Sequence, residues 1–243
     1  MPATHPRSTI RGETFLLLAL LCITLAYIIA RAVHVPFVQD EANSVWYYLR
    51  PGEFLPFRSR PDAGNHFMST MLGLAGFELF GYTELAIRWG SIIAFPVYAW
   101  GCWIMARPFP LLLRWCALLA LAWCPFLLDF FSLFRGYGIS MAGWIWALYA
   151  LTRIASTNTT RNWWLLVAAA GCALFANLSL IPDIAIVLAL ALALQFGNRK
   201  MPRSALVETA FPALLLGAVL LFTTIIAFGL RSRNLLYLGS GNG

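Results

Sequence analysis

Long apolar runs separated by short polar islands dominate the chain from residue 14 onward. An α-helix rises about 1.5 Å per residue, so about 20 residues cross roughly 30 Å of hydrocarbon. Seven runs meet or approach that length: 14–33, 84–105, 110–128, 137–155, 162–179, 181–197 and 205–230. The fifth and sixth are short and predict a tight hairpin around "NLSLIPD", where Pro182 ends or starts a helix. The run 67–81, "FMSTMLGLAGFELFG", covers only about 22 Å as a helix and is too short to span. It predicts a juxtamembrane helix inside a long loop, 34–83.

Composition places the chain in a class. It is 60% hydrophobic and 11% charged, with a mean hydropathy of +0.75. Soluble domains run at roughly 45–50% apolar and about 25% charged. The expectation is an all-α integral membrane protein, one transmembrane domain over 1–243, with about seven spans. The basic, apolar N-terminus reads as a retained first helix, because its apolar stretch is too long for a signal peptide and lacks a clear cleavage site.

The net charge is +7. In a soluble protein that balance would suggest nucleic acid. Here the basic residues fall between apolar runs, so the reading is topology and no nucleic acid. With a cytoplasmic N-terminus and a non-spanning 67–81, three basic stretches lie inside: Arg107, the stretch with Arg153 and Arg161, and "GNRKMPRS". If 67–81 crossed, all three would move outside. Residues 34–83 are therefore expected as one outer loop. Eight of the ten acids then fall on or near the outer face, with only Glu13 and Glu208 inside. The five cysteines all sit in apolar runs without metal-ligand spacing and read as small hydrophobes.

Several polar islands near that outer face could carry chemistry. "FVQDEANSVWYYL" places Asp40 and Glu41 where the first run ends. Adjacent residues on a helix do not share a face, so one points to a site while the other supports or caps. "PFLLDFFSLFRGYG" places Asp129 and Arg135 in an aromatic boundary stretch, where a charge needs a cavity or a partner. The bland alternative is that those two pair with each other. "DAGNHFMST" holds Asn65 and His66. "GYTELAIRWGS" holds Glu84 and Arg88, at a spacing that allows a simple helix pair. Together they raise the expectation of one site on that face.

In order, these motifs resemble the C-type superfamily (GT-C) of bacterial membrane glycosyltransferases, relatives of protein O-mannosyltransferases and lipid A aminoarabinose transferases. The resemblance covers about residues 36–150 by motif and the whole chain by topology. It implies a helical bundle whose long first periplasmic loop carries juxtamembrane helices. It implies a multi-pass protein of the bacterial inner membrane, working at its periplasmic face. The implied partners are a polyprenyl-phosphate sugar donor, membrane lipid, and an acceptor glycan, lipid or protein. Asp40 matches the essential carboxylate, with Glu41 beside it and Asp129 as a second acid. Asn65, His66, Arg88, Arg135 and Tyr137 are the implied substrate-binding set. A divalent metal shared by Asp40 and Asp129 stays open.

Family members are longer, so the resemblance implies that this chain is their N-terminal part, with "LLYLGSGNG" opening a further outer loop. Two other readings stay beside the transferase: a transporter or flippase of lipid-linked solutes, and a non-catalytic or truncated membrane protein.

Overall fold

The computed structural model describes residues 7–62, 64–197 and 203–235. Arg199 and Lys200 of "GNRKMPRS", and all but the first residue of "LLYLGSGNG", lie outside the described residues. Among those described there are ten α-helices and no strand. In chain order they are α1 Arg7–His34, α2 Gln39–Ser44, α3 Phe67–Phe80, α4 Glu84–Ala106, α5 Leu111–Ala122, α6 Pro125–Phe131, α7 Gly136–Ser156, α8 Thr160–Ala176, α9 Ile181–Gly197 and α10 Arg203–Ser232. A π-helical turn, Val45–Leu49, continues α2, and a 3₁₀ turn, Leu178–Leu180, joins α8 to α9.

Helix ends follow local chemistry. Thr83 caps α4, its Oγ1 accepting from the Ala86 N–H at 3.1 Å. Pro182 sits in the first turn of α9, where a missing N–H costs nothing.

The expected third span, 110–128, is interrupted. It forms α5 and α6, bent by 53° across Trp123 and Cys124. Pro125 has no N–H for the carbonyl four residues back, that of Leu121. Tyr98 on α4 takes up that freed acceptor, donating to Leu121 O at 2.7 Å.

Four helices are long and apolar enough to cross a membrane: Gly12–His34, Glu84–Ala106, Leu178–Gly197 and Val207–Ser232. A fifth is added if the bent pair counts as one crossing. The fold is compatible with a multi-pass membrane protein. Of the expected seven, α7 and α8 fall short of that standard. The 17 residues of α8 reach only about 26 Å, and α7 carries Arg153 together with several Tyr, Trp and Gly residues.

These two helices are instead the most tightly packed. A Cβ on Gly143 of α7 would come within 2.7 Å of Ala169 O on α8. Ala147, Ala150, Ala170 and Ala173 are fully buried beside it. Small residues let two backbones approach closely where bilayer-like surroundings offer no hydrophobic drive. One core joins α1, α4, α6 and α7, and a second joins α7, α8, α9 and α10.

Ion pairs mark the two ends of the bundle. Glu13 on α1 meets Arg114 on α5 at 2.8 Å at one end. Arg31 on α1 meets Asp129 on α6 at 3.1 Å at the other. The segment 35–66, the α6–α7 junction, the α8–α9 turn and the C-terminal part of α10 gather at that second end. All five cysteines are free.

Candidate functional site

The site is built on a buried ion pair. Glu41, on α2, and Arg88, on α4, both have fully buried side chains. Arg88 donates through Nε to Glu41 Oε1 at 2.9 Å and through Nη2 to Oε2 at 2.6 Å. The guanidinium also donates from Nη1 to Ala32 O and Val35 O, each at 2.7 Å. It thereby satisfies carbonyls that the C-terminus of α1 leaves open. Glu41 accepts two further bonds, from Val38 N at 3.0 Å and from Phe134 N. All its bonding capacity is turned inward, and the pair ties α1, α2, α4 and the α6–α7 junction together. The local Glu84–Arg88 pair that the sequence allows does not form. Arg88 reaches Glu41 instead, because a buried guanidinium needs a carboxylate that is buried with it.

Asp40, one residue earlier, faces the other way. Its side chain is 58% exposed and accepts a hydrogen bond from Arg135 Nη1. Arg135 is the N-cap of α7, and its own carbonyl is held by Ser91 Oγ at 3.2 Å. The next residue explains how α7 can start here. A Cβ on Gly136 would lie 1.8 Å from Ala176 O and 2.8 Å from His66 Nδ1. Only glycine lets the start of α7, the end of α8 and His66 converge.

His66 Nδ1 lies 2.8 Å from Ala176 O. A carbonyl only accepts, so the imidazole carries its proton on Nδ1 and leaves Nε2 as an acceptor. Nε2 is buried without a protein partner. Burial, and then the neighbouring Arg135, lower the His66 pKa from 6.5 to about 4. The ring is therefore neutral at physiological pH. Tyr137 packs against it edge-on, ring centroids 5.2 Å apart, and lies 5.3 Å from the Arg135 guanidinium.

Asp40, His66, Arg135 and Tyr137 all line one cavity of about 820 Å³. Polar lining comes from α2, the π turn, the residues before α3 and the α6–α7 junction. The α8–α9 turn and α10 add Leu178, Ile181, Pro182, Ala227 and Phe228 to the lining, mixed with Asn177, Ser179, Thr224 and Arg231. Such a cavity accepts an amphipathic molecule, polar at one end and greasy at the other.

The remaining predicted residues lie elsewhere. Asp129, expected beside Asp40, does not line the cavity and pairs with Arg31. Each acid has found a guanidinium that completes a helix end. Neither the Asp40–Asp129 pairing nor Asp129–Arg135 is present. Asn65 is buried and ties the loop, donating to Phe54 O at 2.9 Å and accepting from Thr70 Oγ1 at 3.3 Å. Glu41 and Arg88 are positioning groups beneath the cavity. Among the described residues no group of three or more His, Cys, Asp or Glu side chains could hold a metal ion. Asp40 and Asp129, left open as joint ligands of a divalent ion, each pair with a different arginine.

Tyr48, Asn177 and Arg231 line the cavity and were not singled out from the sequence. Asn177 stands in the "NLSLIPD" island, whose polarity was the available signal. Tyr48 sits in the π turn Val45–Leu49, for which the sequence carries no signal. Comparison with protein-family models, curated proteins and solved structures finds no match.

Proposed function

We propose that this chain is a membrane glycosyltransferase of the C-type superfamily. It moves a sugar from a polyprenyl-phosphate donor to an acceptor hydroxyl at the outer face of a bacterial inner membrane, with seven helical crossings and a cytoplasmic N-terminus. One observation carries the reading. The Asp40–Arg135 pair opens onto a large cavity that also has apolar lining from Leu178, Ile181, Pro182, Ala227 and Phe228. A fatty carrier and a hydrated acceptor can meet there.

In this reading the prenyl chain lies along α9 and α10, and the phosphate takes the guanidinium of Arg135 from Asp40. The freed carboxylate accepts the proton of the acceptor hydroxyl as its oxygen attacks the anomeric carbon. The bond from that carbon to the phosphate oxygen breaks, and its electrons leave with the phosphate. Attack opposite the leaving group inverts the anomeric centre. Arg135, with Arg231 nearby, stabilises the charge that develops on the phosphate. Phosphate leaves readily, so no strong acid is required.

Membranes carrying wild type or Asp40→Asn, supplied with a panel of polyprenyl-phosphate sugars, test it. Wild type is expected to transfer at least one sugar, and Asp40→Asn to be slower by about 10²- to 10⁴-fold. Transfer at equal rates in the two would remove Asp40 as the base, and no transfer by either would leave the non-catalytic reading standing.

A further inference from the structure

Two buried polar atoms, on residues that line the cavity, have no protein partner, and they are complementary. Tyr48 is only 2% exposed, yet its hydroxyl has no hydrogen-bond partner. Burial, and then Asp62, push its pKa well above the usual phenol value, so the hydroxyl keeps its proton and can donate. His66 Nε2 is the second atom, fixed as an acceptor by the Ala176 carbonyl on the opposite ring nitrogen. A buried polar group without a partner is costly, and one such group in a native fold calls for an explanation. Here the donor and the acceptor belong to two residues that line one cavity.

The backbone supports a binding role. Tyr48 sits in the π turn Val45–Leu49, an irregularity in helices that frequently marks functional sites. His66 is held from below by its bond to α8, and from the side by Tyr137.

We infer that Tyr48 and His66 form a hydroxyl-reading subsite, in which Tyr48 donates to a ligand hydroxyl and His66 Nε2 accepts a proton from one. The ligand it fits is an amphiphile with an uncharged, polyhydroxylated headgroup. A hydroxyl both donates and accepts and so can satisfy both atoms, whereas a phosphate or quaternary ammonium headgroup offers no proton to His66. The inference rests on the transferase reading only for the identity of the natural ligand. There it assigns these residues to the sugar ring rather than to the phosphate.

The test uses the full chain in phosphatidylcholine nanodiscs, with ¹⁵N-labelled histidine. Octyl β-glucoside, below its micellar concentration, is compared with dodecylphosphocholine, which carries no hydroxyl. The His66 signal is assigned by its loss in His66→Gln. At pH 7.5 its Nε2 is expected unprotonated, and to shift on adding the glucoside alone. Tyr48→Phe is expected to weaken the glucoside response by about 3- to 10-fold, the loss of one neutral hydrogen bond. That variant keeps the ring and removes an unpartnered hydroxyl, so its thermal stability is unchanged or higher.

A protonated Nε2, an equal response to both amphiphiles, or a Tyr48→Phe variant with undiminished glucoside binding would each overturn the subsite. If that happens while Asp40-dependent transfer persists, the subsite is wrong and the transferase reading stands. If the glucoside behaves as expected and no polyprenyl-phosphate sugar is turned over, the subsite stands and the transferase reading falls.

Discussion

Asp40 and Glu41 are neighbours in the chain, and a helix sends neighbouring side chains to different faces. The consequence is a division of labour. Glu41 is sealed against Arg88, while Asp40 stays open to the cavity. Removing one partner of a buried pair leaves an uncompensated charge, at a cost of about 3–5 kcal/mol. Arg88→Met is therefore expected to lower stability by that amount, read as a large drop in melting temperature of the purified protein. Asp40→Asn breaks an exposed pair and should change stability by no more than about 1 kcal/mol.

His66 gives a pH signature at the same scale. The unfolded chain binds this proton near the ordinary value, and the folded chain only near about 4. Between those values the unfolded state holds more protons. Stability is then greatest above about 6.5 and falls as pH drops toward about 4, by up to about 1.4 kcal/mol per unit. Melting temperatures measured across this window should show the slope in wild type. His66→Gln should lose that component.

At the scale of elements, much of the helical layout was legible. Apolar runs located every long helix, including the short α3 outside the spanning set, because burial in lipid or in a bundle needs length and greasiness together. The break between α5 and α6 had a visible signal in Pro125, although the apolar count ran through it. Long-range pairing was not legible. Asp129 stands close to Arg135 in sequence, yet it pairs with Arg31 across the bundle, and Arg135 pairs with Asp40. Spacing along a chain carries no information about which helix ends meet. Tyr48 escaped for a related reason, since a π turn shifts side chains off the usual helical register. Gly136 tests the contact that brings these elements together. Gly136→Ala pushes a methyl onto the Ala176 carbonyl and should cost about 1–3 kcal/mol. A double variant with His66→Gln would show whether the two effects add.

At the scale of the molecule, polar groups concentrate at the two ends of an apolar bundle. The end with Asp40, His66 and Arg135 also holds the large cavity. The other end brings together the starts of α1 and α5, joined by Glu13 and Arg114. If the bundle lies across a bacterial inner membrane in the orientation set by its basic loops, a single cysteine at Asp62 labels from outside in intact cells. One at Arg107 does not. Both belong in a background lacking Cys22, Cys102, Cys116, Cys124 and Cys172. Labelling at Arg107 alone would place the cavity at the cytoplasmic face, against the proposed donor.

The bond between Arg88 and Glu41 also restricts how this architecture can be recombined. The guanidinium belongs to α4, the carboxylate to α2, and the carbonyls the guanidinium completes to the end of α1 and the residue after it. Transplanting residues 35–66 into a scaffold without a matching arginine would bury a carboxylate without its counter-ion, at a cost of about 3–5 kcal/mol. The shortest segment that keeps the ion pair together runs from the last turn of α1 through the first turns of α4, and it still leaves out the Phe134 N–H that Glu41 accepts from.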